Sequence, residues 1–201
     1  MKKKILLSIV AGMLLLMPAL TSANPEKTGN QAAIYSFDGS GSGKVKISRG
    51  TAVPGHDGKS NGAVSFEMGK SYDKSSHNII YPLDINQRKI PQITITAWVK
   101  ATNHYGRMYI FGNGTDKRNR AIIIDDHDDQ YRYGLQCGKD GVLYGPPVVN
   151  EWVFVAAIYD GKNQEARFVV NGTVFSSRAK TFDGEEKAFT GPISGAVDDI
   201  R

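Results

Sequence analysis

Cysteine is almost missing from this sequence of 201 residues, because Cys137 is the only one. No internal disulfide can form, although a compartment outside the cytoplasm would permit one. Stability must therefore come from packing, with or without the help of a metal ion. We interpret Cys137 as a small buried or half-buried thiol. A nucleophilic cysteine needs a base beside it, and the sequence from Tyr131 to Cys137 has the pattern of a strand.

Helical periodicity and internal repeats are also lacking after residue 23. Short apolar or alternating segments follow one another instead, with a turn signal roughly every ten residues. The segment from Ile93 to Lys100 alternates strictly between apolar and polar positions. The segment from Glu151 to Gly172 holds two predicted strands, the first followed by Asp160-Gly161 and the second by Asn171-Gly172. These dipeptides tolerate the positive φ of tight hairpin turns. The sequence therefore predicts an all-β domain of consecutive antiparallel strands.

An excess of one charge is lacking as well. The formal net charge of +5 includes three lysines at the extreme amino terminus, and without them 22 basic residues face 20 acidic ones. The lysines and arginines are scattered along the chain. Nucleic-acid grooves and anionic membrane surfaces need a larger or clustered basic excess, so we expect no nucleic-acid partner.

The only long apolar run lies at the amino terminus. A basic start is followed by an apolar run from Ile5 to about Leu16 and by the small residues Thr21-Ser22-Ala23, which is the order of a secretory signal. The run is shorter than the roughly 20 residues that a membrane span needs. We therefore expect a signal peptide at 1–23, a flexible segment at 24–31 and one domain at 32–201. The lysine-rich start suggests a bacterial protein that is secreted, periplasmic or at the cell surface, with no transmembrane segment after cleavage.

Five blocks of the sequence resemble conserved blocks of a known family. They are GKSNGAVSFEMG (58–69), ITITAWVK (93–100), EWVFVAAIYDG (151–161), RFVVNG (167–172) and FTGPISGAVDDIR (189–201). In this order they resemble the conserved blocks of laminin-G-like domains of the concanavalin A-like lectin/glucanase superfamily. The resemblance implies a two-sheet antiparallel jelly-roll sandwich, in which Trp98 and Trp152 are packing residues. It leaves the activity open, because members of this superfamily hydrolyse glycans, bind glycans or bind proteins.

Hydrolysis is the less favoured activity. Glycosidases place two carboxylates about 5 Å or about 6.5–9.5 Å apart across the scissile bond. The sequence has six glutamates, and Glu67, Glu151 and Glu165 each stand alone in or beside a predicted strand. No predicted strand carries a closely spaced acidic set, so we assign no catalytic residues.

Sugar binding needs an aromatic surface for the ring and polar groups for its hydroxyls. Tyrosines and arginines are concentrated in the middle of the chain, and Tyr131 and Tyr133 share one face of a strand. Buried tyrosines with hydrogen-bonded hydroxyls would give the same pattern. The candidate ligand-binding residues are Tyr105, Arg107, Tyr109, Tyr131 and Tyr133.

Two acidic positions are candidates for metal binding. Asp125-Asp126-His127-Asp128-Asp129 lies between two predicted strands and is interpreted as a solvated hairpin tip, although its oxygens could also hold calcium. The resemblance implies a structural calcium site where the loop after the first strand meets the last strand. The matching residues are Asp38, Asp198 and the adjacent Asp199.

The sequence as a whole predicts an exported, non-catalytic, lectin-like domain that binds extracellular glycans or cell-surface glycoconjugates. Whether Asp38, Asp198 and Asp199 hold a structural calcium ion or are separate surface or cap residues stays open. Two alternatives stay open. A protein-adhesion module of the same fold would present a flat apolar patch, and a divergent glycoside hydrolase would present two converging carboxylates.

Overall fold

The computed structural model describes residues 37, 45–48, 50–67, 78–87, 89–102, 106–113, 120–138, 141–178, 187–191 and 193–201. These residues form strands and turns, and they contain no α-helix. In chain order the strands are β1 (Lys46–Ile47), β2 (Thr51–Val53), β3 (Ala63–Phe66), β4 (Ile79–Asp84), β5 (Gln92–Ala101), β6 (Met108–Gly112), β7 (Arg120–His127), β8 (Gln130–Cys137), β9 (Val142–Pro147), β10 (Val153–Asp160), β11 (Glu165–Val170), β12 (Thr173–Arg178), β13 (Lys187–Thr190) and β14 (Gly195–Asp198).

The strands form two antiparallel sheets of seven strands each. Sheet I has the order β1-β4-β13-β6-β7-β8-β9, and sheet II has the order β12-β11-β10-β5-β14-β3-β2. Strands that are far apart in sequence pair in both sheets, as when β14 lies between β3 and β5. The prediction of an all-β, two-sheet antiparallel sandwich is confirmed.

The two strands predicted from the segment 151–172 are β10 and β11, which pair from Val155↔Val170 to Asp160↔Glu165. The Asn171-Gly172 turn that joins β11 to β12 has φ values of 46° and 86°, as a two-residue hairpin turn requires. The β10–β11 turn spans 161–164, within the polar stretch predicted after Tyr159, but its positive φ of 53° is at Gln164 and not at Asp160-Gly161. Asp160 holds this turn, because its Oδ1 accepts hydrogen bonds from the backbone N–H groups of Lys162 and Asn163 at 3.0 and 3.1 Å.

One other sequence prediction is wrong, and several fall on segments outside the described residues. The sequence predicts a loop over 50–61, but β2 lies within it and pairs with β3 from Thr51↔Ser65 to Val53↔Ala63. The expected first strand at 32–38 lies outside the described residues except for Phe37, which packs against the core. The expected signal peptide and the segment 24–31 also lie outside the described residues. Within the part that is described, no helix has the length and hydrophobicity that crossing a bilayer requires.

The main hydrophobic core lies between the sheets, where alternate residues of each strand meet. Ile122 and Ile124 of β7 point into it and are at most 1% exposed, and Cys137 is also buried there, as expected of a small thiol. The intervening residues of β7 point the other way. Ala121 and Ile123 form a second buried cluster with Tyr109 and Phe189 on the face of sheet I that is turned away from the core. This face is called the outer face of sheet I below.

Arg120 is the largest fully buried side chain. Its guanidinium donates hydrogen bonds to the carbonyls of Ile85, Ile90 and Pro91 at 3.2, 2.7 and 3.2 Å and lies 5.4 Å from the centre of the Tyr159 ring. Burial lowers the pKa of Arg120 to about 10. Arg120 therefore fastens the turn between β4 and β5 to sheet I.

Candidate functional site

Polar and aromatic side chains converge on the outer face of sheet I, across β6 to β9. Arg107, just before β6, forms an ion pair with Asp125 through Nη2 and Oδ2. The hydroxyl of Tyr144 donates to the same oxygen at 3.1 Å. The ring of Tyr144 stacks on the ring of His127, with centroids 3.8 Å apart and an interplanar angle of 5°. These four residues, Arg107, Asp125, His127 and Tyr144, are called the Asp125 cluster.

The period of β7 places two members of the cluster. Asp125 and His127 continue the series of Ala121 and Ile123, which face away from the core, so they stand on the outer face. The side chains of Arg107 and Asp125 are 34% and 13% exposed. The cluster is thus half-buried, with its charged pair accessible at the surface.

Gly134 lets Tyr144 reach the cluster across an intervening strand. It lies on β8 between Ile123 of β7 and Tyr144 of β9 in the register of the sheet. A Cβ atom there would come within 2.7 Å of Val142 Cγ1, 3.3 Å of Ile123 Cγ1 and 3.6 Å of Tyr144 Cδ1. The missing side chain therefore leaves the space that the side chains of β9 occupy above β8.

The electrostatics of the cluster follow from these contacts. The hydrogen bond to Asp125 raises the pKa of Arg107, so its guanidinium is charged at any physiological pH. Desolvation, together with the negative charge of Asp125, raises the pKa of Tyr144. Its hydroxyl is therefore protonated and acts as the donor to Asp125.

The acidic segment after Asp125 forms the tip of the β7–β8 hairpin, as the sequence suggests. Asp128 and Asp129 occupy a two-residue turn with φ values of 54° and 57°, and both are exposed together with Asp126. The Nε2 of His127 lies 3.3 Å from Asp128 Oδ2. Asp125 differs from the aspartates of the tip, because it forms an ion pair with Arg107 and accepts a hydrogen bond from Tyr144.

The structure brings together only some of the predicted ligand-binding residues. Arg107 belongs to the Asp125 cluster, whereas Tyr105 lies outside the described residues. Tyr109 is on the outer face but is only 5% exposed and packs against Phe189, with ring centroids 6.0 Å apart. Its hydroxyl also accepts a hydrogen bond from the guanidinium of Arg107.

The predictions for Tyr131 and Tyr133 need revision. Both point toward the core, which is the face that they share on β8. Tyr131 is half-buried, and its hydroxyl accepts a hydrogen bond from the backbone N–H of Gly106 at 3.3 Å. Tyr133 is fully buried, and burial raises its pKa. A ligand at the surface cannot contact Tyr133, because the tyrosine fills space between the sheets.

Sequence reasoning did not select three members of the cluster as ligand-binding residues. Asp125 and His127 were considered only as part of the acidic run 125–129, a hairpin tip or a calcium loop, and Tyr144 lies in a strand that the sequence does not predict clearly. The usable signal is the alternation of β7, which places Asp125 on the same face as Ala121 and Ile123. A glycine in the middle of the neighbouring strand, Gly134, marks the place where side chains from β9 can cross.

A second polar contact lies on the face of sheet II that is turned away from the core. Asp198 is 3% exposed, and its Oδ2 accepts a hydrogen bond from the backbone N–H of His56 at 3.0 Å and lies 2.8 Å from His56 Nδ1. The ring of His56 stacks on Trp98 at 4.4 Å, and Trp98 meets Phe154 edge to face at 5.5 Å. Gly55 permits this approach, because a Cβ atom there would come within 2.6 Å of Asp198 Oδ2. Trp98 thus packs against the loop of residues 54–62, in agreement with its predicted packing role.

Two of the three predicted calcium ligands, Asp198 and Asp199, already have protein partners, and a calcium ion takes six to eight oxygen ligands. The Oδ2 of Asp198 is already held by His56, and Asp199 pairs with Arg201 Nη2 at 3.2 Å. Among the described residues, no group of three or more His, Cys, Asp or Glu side chains could hold a metal ion. Asp38 lies outside the described residues, so the calcium site stays a prediction.

Several solved structures are similar to this chain at low identity, and the two with TM-scores above 0.5 share its fold. Domain 4 of an extracellular GH43 arabinanase from Geobacillus stearothermophilus, in complex with arabinotriose, is 20% identical with a TM-score of 0.48, over 84% of this chain and 89% of that one. The binding domain of botulinum neurotoxin DC, in complex with SialylT, is 12% identical with a TM-score of 0.51, over 81% and 42%. A mutant Trypanosoma rangeli sialidase that displays trans-sialidase activity is 9% identical with a TM-score of 0.52, over 78% and 26%.

Sequence comparison gives the family. No curated protein sequence matches the chain. The laminin-G-like family model described as "Concanavalin A-like lectin/glucanases superfamily" matches residues 73–199, which is more than half of the sequence. The match covers β4 to β14, including all of β6 to β9. The chain belongs to the concanavalin A-like lectin/glucanase superfamily.

Proposed function

We propose that this protein is an exported, non-catalytic carbohydrate-binding protein that binds extracellular glycans at the Asp125 cluster. The observation that carries the proposal is the convergence of Arg107, Asp125 and Tyr144 on one half-buried surface patch beside the ring of His127. Glycan sites combine a flat apolar surface with a few fixed polar groups, and this patch offers both. The family supports the proposal only in general terms, since it includes lectins and glucanases.

Each part of the cluster has a use in sugar binding. The carboxylate of Asp125 can accept a hydrogen bond from a sugar hydroxyl, and a hydrogen bond to a charged group contributes about 1.5–3 kcal/mol. The His127 side chain is 42% exposed, so its ring can pack against the C–H face of a sugar. The ion pair with Arg107 and the hydrogen bond from Tyr144 fix the carboxylate before the ligand arrives, which lowers the entropy cost of binding.

The non-catalytic part of the proposal rests on the composition of the site. The Asp125 cluster contributes one carboxylate, whereas glycoside hydrolysis uses a pair. That carboxylate is engaged by a guanidinium and a hydroxyl through one oxygen. We therefore expect retention of a glycan without cleavage.

A panel of immobilised polysaccharides tests the proposal. The purified protein should be retained on at least one glycan, with no release of reducing ends. Asp125→Ala should weaken that retention by about tenfold or more, because it removes a charged acceptor. Glu165→Ala is the matched control, since Glu165 also pairs with an arginine, Arg167, but on sheet II. Failure of every glycan to retain the folded protein, or equal losses in the two variants, would count against the site.

Export is tested separately by cell fractionation. We expect the protein outside the cytoplasm, beginning at Asn24 after removal of residues 1–23. A full-length chain in the cytoplasm would contradict the predicted secretory signal.

A protein-binding role is the second candidate, and it rests on sheet II. The face of this sheet that is turned away from the core carries Trp98 and Phe154, and Val174 on the edge strand β12 is 59% exposed. Apolar side chains of this kind can contribute to a protein interface. Val174→Asp should abolish binding to such a partner and leave glycan retention unchanged, whereas loss of glycan retention would place the glycan on sheet II.

A further inference from the structure

The two oxygens of Asp125 have different surroundings. Within the described part of the chain, Arg107 Nη2 and the hydroxyl of Tyr144 both contact Oδ2. The second oxygen, Oδ1, is left to accept a hydrogen bond from a ligand. A carboxylate oxygen accepts and cannot donate, so its partner on the ligand must be a donor such as a hydroxyl.

The charge around this oxygen is negative. Asp126, Asp128 and Asp129 lie in the same hairpin, within four residues of Asp125, and all three are exposed. The described cations nearby are Arg107, which pairs with Asp125, and Arg132, which pairs with Asp125 in the register of β7 and β8. Four carboxylates and two guanidinium groups thus lie in this region, a net charge of −2, with Asp126 on the opposite face of β7 from Asp125. The Nη1 of Arg132 donates to the carbonyl of Gly145 and its Nη2 to the side chain of Gln130, and these uncharged acceptors fix the guanidinium without cancelling its charge.

From these two observations we propose that the Asp125 cluster selects neutral glycans and rejects glycans that carry carboxylates, such as sialylated or uronic-acid chains. The inference rests on the proposed function and names the ligand class of the same site. A sugar hydroxyl can donate to Asp125 Oδ1, whereas a sugar carboxylate at this position would place two acceptors of like charge together. The guanidinium of Arg107 does not offset that repulsion, because Asp125 already compensates its charge.

Paired ligands test the inference, each pair consisting of a neutral glycan and its carboxylated counterpart. Suitable pairs are lactose with 3′-sialyllactose and galactan with polygalacturonate. We expect the neutral member of a bound pair to bind at least about tenfold more tightly. The affinity for the neutral member should also change little between low and high sodium chloride, because salt screens only charged partners.

A charge variant separates the electrostatic argument from the direct contacts. Asp126→Asn with Asp129→Asn removes two carboxylates outside the cluster, and asparagine tolerates the positive φ at position 129. Affinity for the carboxylated ligands should rise by about twofold for each charge removed, while affinity for the neutral ligands stays constant. Thr94→Ala is the control, since Thr94 is uncharged and lies at an exposed position of sheet II, away from the turn.

The outcomes distinguish this inference from the proposed function. Tighter binding of the carboxylated member, with binding that Asp125→Ala still weakens, overturns the inference and leaves the glycan site standing. An unchanged affinity for carboxylated ligands in the double variant also overturns it. Binding to no member of any pair by the folded protein overturns the proposed function and the inference together.

Discussion

The substitution Gly134→Ala examines how the fold builds the Asp125 cluster. The added Cβ would lie 2.7 Å from Val142 Cγ1, a distance that real Cβ contacts essentially never show, and 3.3 Å from Ile123 Cγ1. Ile123 is fully buried, whereas Val142 is half-buried on the edge strand β9. The cheaper adjustment is therefore for β9 to move outward, which carries Tyr144 away from Asp125 and His127.

The expected losses can be estimated from the contacts. Overpacking costs about 1–3 kcal/mol, and the lower backbone entropy of alanine in the unfolded chain returns about 0.5–1 kcal/mol. The net loss in the free energy of unfolding is thus about 0–2.5 kcal/mol, and the protein stays folded. Loss of the Tyr144 hydrogen bond and of the ring stack weakens the site by about 1–3 kcal/mol, or roughly five- to hundredfold in Kd.

Calorimetric titration of the retained glycan, with urea denaturation of the same samples, measures both quantities. Tyr144→Phe and the double variant with Gly134→Ala complete a double-mutant cycle, in which we expect the combined loss to be smaller than the sum of the single losses. Thr94→Ala, on an exposed position of sheet II, serves as the control. The reasoning is refuted if Gly134→Ala binds the glycan with wild-type affinity while Tyr144→Phe weakens binding, or if the two losses simply add.

Three further predictions concern the core, the buried arginine and the calcium site. Tyr133→Phe should leave glycan binding unchanged and stabilise the protein by up to about 1 kcal/mol, because its buried hydroxyl has no hydrogen-bond partner among the described residues. The pKa of Tyr133 is raised in the folded protein, so the unfolded chain loses this proton first and the free energy of unfolding falls as the pH rises above about 10. Urea denaturation at neutral and alkaline pH should show a smaller fall in the free energy of unfolding for Tyr133→Phe than for the wild type. Arg120→Met should lower the free energy of unfolding by about 2–4 kcal/mol in urea, since the carbonyls of Ile85 and Ile90 lose the donor that Arg120 supplies, whereas the carbonyl of Pro91 keeps the backbone N–H of Gly161. An unchanged stability would contradict that role. Calcium binding by Asp38, Asp198 and Asp199 would raise the Tm over that of chelated protein, and His56→Ala, which removes the ring contact to Asp198 Oδ2 and keeps the backbone hydrogen bond, should enlarge the rise; equal Tm values in calcium and chelator for both proteins would refute the site.

The fold could be predicted because local chemistry and long-range pairing agree. The alternation of Ile95, Ala97 and Val99 gave both the strand and its buried face, and all three are at most 2% exposed. Asn171-Gly172 gave a turn whose backbone angles only a few residue types tolerate. The strand β2 was missed because its residues are mostly exposed and lie between Gly50 and Pro54, which are signals of a loop. Pairing with β3, a long-range contact, overrides those signals.

The site was harder to predict, because its members meet across strands and no local pattern marks them. Arg107 and Asp125 are 18 residues apart and become neighbours only through the register of β6 and β7. Tyr131 and Tyr133 were chosen for their residue type, but the face of a strand decides whether a tyrosine meets a ligand or the core. The alternation along β8 does not say which face of the strand is turned to the core. A change of one residue in the register of the strand would exchange the buried and exposed faces. Asp198 shows the same limit, since its partner His56 is 142 residues away.

The most direct test of the central claim is a map of glycan contacts by NMR. The amide resonances of the labelled protein would be followed while a retained glycan is added. The account predicts that the largest shifts occur at Arg107, Asp125, His127 and Tyr144 on the outer face of sheet I, and that Asp125→Ala removes them. Shifts confined to the loop of residues 54–62 or to sheet II would contradict the account, because the glycan would then bind on the opposite side of the sandwich.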